Sequence, residues 1–131
     1  MKRSAINPWP WSLQYGFNQG ELVEGHSRVL YCAGQTSIDG EGDPQHMGDI
    51  RRQITLALDN LEAVLHEADM TLANVVRLVV YTTDIDLMFQ NFDVIGVRLG
   101  AAGVKPAQTL LGVACLAFPG LLVELEATAT A

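Results

Sequence analysis

The strongest constraint in this sequence is a mismatch between its helical and its extended segments. Met47, Ile50, Ile54, Ala57, Leu61, Leu65 and Ala68 recur at steps of three and four, which lays apolar side chains along one stripe of an α-helix. Arg51, Arg52, Asp59, Glu62 and Glu67 fall largely elsewhere, so this helix has a single side to bury. Asp43-Pro44 suits its start, because aspartate accepts from free amides and proline loses nothing at the first helical position. The β-branched segment 75–83 is different. It sets Val76, Leu78 and Val80 on one side of an extended chain and Val75, Val79 and Tyr81 on the other, so both faces are apolar. Segment 108–116 is apolar on both sides as well. A one-striped helix covers one face of such a sheet, and the chain keeps no element for the other, so a second subunit is the expected cover.

The remaining pattern completes the layout. Short strands are predicted near 14–19, 21–24 and 28–34, separated by turn signals at Gly20 and Gly25. A second helix opens at Asp84 or Asp86, carries Met88, Phe92, Ile95 and Leu99 inward, and stops near Gly103. After a Pro119-Gly120 turn, 121–129 alternates Leu121, Val123, Leu125 and Ala127 against Leu122, Glu124, Glu126 and Thr128. Asn7-Pro8-Trp9-Pro10-Trp11 cannot be regular helix, and its tryptophans should pack on something. The order of strands, helix, strand, helix and two strands predicts an α+β domain with both helices on one face of the sheet. Nothing marks a linker or repeat, so residues 1–131 form a single domain.

Composition narrows the function. At 49% hydrophobic and 18% charged, the chain is too apolar for disorder. A formal net charge of −7 opposes nucleic acid as a partner. No stretch has the roughly 20 apolar residues of a bilayer span, and Met1 to Ala5 lacks a secretory start, so a cytoplasmic protein without membrane contact is expected. Cys32 and Cys115 lie in apolar runs and are expected to be buried free thiols. His26, His46 and His66 lack metal-ligand spacing, and no C-x-x-C pair occurs, which predicts no metal site. Asp39-Gly40-Glu41-Gly42-Asp43 is acidic like a calcium loop but lacks the ligand ladder ending in glutamate, and it fits a solvated turn. No G-x-S-x-G or phosphate-binding loop is present.

Two positions keep chemical interest. Glu124 and Glu126 point to the same side of one strand. In a partly dry cleft between subunits such a carboxylate can hold a water or pass a proton, whereas on an exposed strand it is only surface. Gln108 follows Lys105-Pro106-Ala107 at a strand start, where its amide either meets a ligand or finishes a turn.

The chain resembles the Rid (YjgF) family, also labelled L-PSP endoribonuclease. The resemblance is carried by Phe17-Asn18-Gln19-Gly20, Val29-Leu30-Tyr31-Cys32-Ala33-Gly34-Gln35, Leu58-Asp59-Asn60-Leu61, the Val76 to Asp84 strand, Lys105-Pro106-Ala107-Gln108-Thr109 and Val123-Glu124-Leu125-Glu126-Ala127. It implies a chorismate-mutase-like mixed sheet of about six strands with two helices on one face, assembled as a homotrimer with ligand sites between subunits. In the RidA-like deaminase branch it implies hydrolysis of an enamine or imine to a 2-oxo acid and ammonia, without cofactor or metal. The small-molecule partner is then a reactive metabolite. The resemblance assigns a water-orienting glutamate to Glu124 and a carboxylate-gripping arginine, a tyrosine and a serine to positions that here read Gln108, Phe17 and Ala33. Main-chain contacts from Gly34 and Leu110 survive any side-chain change. A charge-assisted grip is worth about 1.5 to 3 kcal/mol and a neutral amide about half that, so anionic imines should bind about tenfold more weakly. The expected function is a cofactor-free hydrolase of a neutral or weakly anionic enamine or imine. The alternative is a non-catalytic binder of a small metabolite, and an endoribonuclease is opposed by the acidic balance.

Overall fold

The computed structural model describes residues 1–131. Six strands form two sheets, in an α+β arrangement. An antiparallel ribbon joins β1 (Lys2–Ile6) to β2 (Gly20–Glu24). The main sheet has the order β3-β6-β4-β5, built from β3 (Val29–Thr36), β4 (Val75–Thr82), β5 (Ala107–Gly112) and β6 (Val123–Thr130). Only β4 and β5 run parallel. The ribbon is tied to the main sheet where Arg3 Nη2 donates to Val75 O at 2.9 Å and Asn18 bridges to Ala107.

Helix α1 (Ile50–Glu67) lies on β3 and β6 and buries Ile50, Ile54, Ala57, Leu61 and Leu65 of the expected stripe together with Leu58, whereas Met47 precedes the helix and is exposed and Ala68 caps its end. Its start differs. The cap is Asp49, whose side chain accepts from Arg52 N at 3.2 Å, and Asp43-Pro44 instead belongs to the preceding loop. There the Asp39 carboxylate accepts from the amides of Glu41 and Asp43 at 2.9 and 3.0 Å, so the acidic run holds its own turn together.

The predicted second helix is two helices, α2 (Ile85–Gln90), capped by Asp84, and α3 (Asp93–Ala101). Asn91 separates them, its Nδ2 donating back to Leu87 O at 2.8 Å and closing the first helix with its own side chain. Met88, Ile95 and Leu99 still join the core that α1 shares with the sheet. Arg98 of α3 pairs with Asp59 of α1 at 2.7 Å and with Glu62 of the same helix. No helix is long and apolar enough to cross a membrane.

Other local expectations are corrected. Strand β1 precedes the Asn7 to Trp11 arm, in residues for which the sequence predicts no element, and 14–19 holds no strand. A 3-10 helix spans Pro10–Tyr15 and ends at Gly16 with φ +79°, which turns the chain toward β2. Segment 108–116 leaves the sheet at Gly112, so Cys115 is exposed, whereas Cys32 is buried and burial pushes its thiol pKa up. A bulge between Val75 and Arg77 puts Val75 on the helix side with Leu78 and Val80, and gives the other side to Arg77, Val79 and Tyr81. That other side has no helix of its own, and Tyr31 there is 79% exposed. It is more polar than predicted, because Glu124, Glu126 and Thr128 share it through pairing with Tyr81, Val79 and Arg77.

Candidate functional site

The residues singled out in the sequence fall into two groups, on opposite sides of the main sheet. The first is built on β3 and β6. Their ladder slips between Cys32 and Gln35, so Ala33 and Gly34 bulge out of register and are exposed. Glu124, paired with Thr36 on one side and Tyr81 on the other, reaches over this bulge. A β-carbon on Gly34 would lie 2.7 Å from Glu124 Cδ and 3.1 Å from its Cγ, so the carboxylate occupies space that only glycine leaves. Glu124 is half-buried. Its strand neighbour Glu126, and not Glu124, accepts the Tyr81 hydroxyl at 2.9 Å. That hydrogen bond holds the Tyr81 phenol proton beyond its ordinary range, and burial and the charges of Glu126 and Glu124 act the same way against Arg77.

The second group lines a groove of about 500 Å³ beside β5. Gln108 and Leu110 pair with Leu78 and Val80 of β4, whose side chains are buried under the helices, so both belong to the helix side of the sheet. Phe17 meets them from the N-terminal segment, and Trp11 packs edge-on against Phe17 with ring centroids 5.9 Å apart. Phe89 and Phe92, around the α2–α3 junction, form another wall. None of the groove's lining residues is charged. Gln108 Oε1 is buried there without a hydrogen-bond partner.

One chain therefore brings Gln108, Phe17 and Leu110 together, and Glu124, Gly34 and Ala33 together, but not the two groups. Strand β4 separates β5 from β6, which sets them roughly 10 Å apart in the sheet, and the side chains leave from opposite faces. Sequence reasoning missed Tyr15 and Phe89 as groove residues and took Phe92 only for core. The available signal was the spacing of Phe89 and Phe92, three apart and so on one side of a helical turn. Of the two tryptophans in the arm, Trp11 lines the groove.

The Endoribonuclease L-PSP family profile matches residues 15–131. The chain belongs to the Rid (YjgF) family. It is 33% identical to a RutC family protein of Pyrococcus abyssi over 100 residues, 76% of each chain. The RutC family protein YjgH of Escherichia coli is 29% identical over 117 residues, 89% of this chain and 88% of that one. Among solved structures, YyfB of Yersinia pestis, a protein of unknown function in the conserved Rid family, is similar along 100% of both chains, with 35% identity and a TM-score of 0.85. The likeness runs the full length of the chain, so it spans the segments of this Rid protein that carry Gln108, Phe17 and Ala33.

Proposed function

We propose that this Rid protein is a cytoplasmic, cofactor-independent hydrolase of an uncharged or weakly anionic enamine or imine, acting at clefts between the subunits of a homotrimer. The observation that supports it best is the Glu124 carboxylate lodged over the glycine bulge of β3. A carboxylate in such a partly buried position is suited to orient water and take its proton as the water oxygen adds to the imine carbon. The carbon–nitrogen bond then breaks, the nitrogen leaves as ammonia, and a carbonyl remains. The opposite-facing placement of Gln108 supports a shared site, because a neighbouring subunit can present Glu124 to a groove that its own chain cannot reach. The exposed sheet face around Tyr31 supplies a surface for that contact. Gln108 and the uncharged lining of the groove argue against a carboxylate-bearing substrate.

The non-catalytic reading draws on the same glutamine, since losing the cation that grips an anion can mark lost chemistry. A single assay separates them. Benzylimine generated in place by a flavin amine oxidase should yield benzaldehyde and ammonia faster with the protein than in buffer. Glu124→Gln should reduce the protein-dependent rate by about 100-fold, the lower end of what a positioned general base contributes. Rates equal to buffer with this imine and with 2-aminoacrylate would leave the binding reading in its place.

A further inference from the structure

Gln108 is an unusual lining residue, because its Oε1 is buried yet accepts nothing. Its neighbours offer little help. Trp11, Phe17, Phe89 and Phe92 supply ring surface, and the Trp11 ring is held edge-on to both Phe17 and Tyr15, with centroids 5.9 and 6.5 Å away. We propose that the groove selects a flat, uncharged ligand, aromatic or amide-like, whose N–H donates to Gln108 Oε1 while its ring lies among these aromatic walls. The inference rests on the groove being the ligand site, as argued above, and is independent of whether hydrolysis follows.

Three physical points lead to this class. A buried acceptor left unpaired is costly, and a ligand that brings a donor removes that cost, whereas one bringing only an acceptor does not. Aromatic walls favour flat rings in stacked or edge-on contact over branched aliphatic groups. A carboxylate entering a groove with no charged lining residue would shed water without gaining a cation. The ligand therefore carries a donor, a ring and no negative charge.

Calorimetric titration of the full-length protein with benzamide, acetophenone and benzoate tests this, since the three share a ring and differ in donor and charge. Benzamide should bind about tenfold more tightly than acetophenone or benzoate. Gln108→Leu should bring benzamide and acetophenone to equal affinity, and Gln108→Arg should turn the preference toward benzoate. Acetophenone matching benzamide, a preference that survives Gln108→Leu, or no binding of any probe would each overturn the proposal. A benzamide preference without imine hydrolysis would sink only the catalytic reading, and hydrolysis without the preference would sink only this one.

Discussion

The backbone of Gly34 runs directly beneath the carboxylate of Glu124, with Glu124 Cδ 2.7 Å from where a β-carbon would stand. The obstructing group is the end of a flexible side chain, so an added methyl displaces the carboxylate rather than the strand. Gly34→Ala should leave the unfolding free energy within about 1 kcal/mol of wild type, since alanine also restricts the unfolded chain. Imine hydrolysis should fall at least tenfold. Full activity in that variant would show that the position of the carboxylate is immaterial.

A second glutamine contrasts with Gln108. Gln53, fully buried on α1, donates from Nε2 to His46 O at 3.1 Å and to Gly120 O at 3.0 Å, and its Oε1 accepts from Leu122 N at 2.8 Å. One side chain thus ties both flanking loops to the helix. Gln53→Leu fills similar volume but strands Gly120 O and Leu122 N, while His46 O keeps the Asp49 amide, and should cost roughly 2 to 4 kcal/mol. Urea denaturation monitored by far-ultraviolet circular dichroism measures the loss, and an unchanged midpoint would mean that these loops do not depend on the tie.

The Tyr81–Glu126 contact gives a dependence on alkaline pH. Because the hydrogen bond raises the folded-state pKa above the unfolded value near 10, the folded protein holds the proton more tightly. The resulting stabilisation is complete below about pH 10 and disappears as pH rises through the folded value. Unfolding midpoints taken from about pH 8 to pH 11 should fall less in Tyr81→Phe than in wild type. Parallel curves would remove the linkage.

Much of the scaffold is written in local patterns. The α1 stripe from Ile50 to Leu65 and the alternation from Val123 to Ala129 are each set by burial on one side, and both appear as periodicity. The departures come from interactions without a period. Asn91 closes α2 with its own side chain, which ordinary helix propensity does not reveal. The bulge beside Val76 moves Val75 to the buried side, so strict alternation misplaces it. Strand β1 pairs with a segment more than a dozen positions away, and its short mixed sequence declares no partner. At the site, Glu124 and Gln108 were legible as candidates, because polar residues in apolar strands stand out. Their opposite orientation was not, since it follows from the pairing order β6-β4-β5. The aromatic groove depends on Phe89 and Phe92 meeting Trp11 across a long sequence interval, a contact only the folded chain creates.

Division of the chemistry between two faces has an evolutionary consequence. The groove at β5 and the carboxylate over β3 draw on different strands and different neighbours, so exchanges at one need not disturb the support of the other. Under the proposed function, exchanges at Gln108 or Phe17 would alter the ligand without touching the packing of Glu124 over Gly34, so the two halves of the site could change separately.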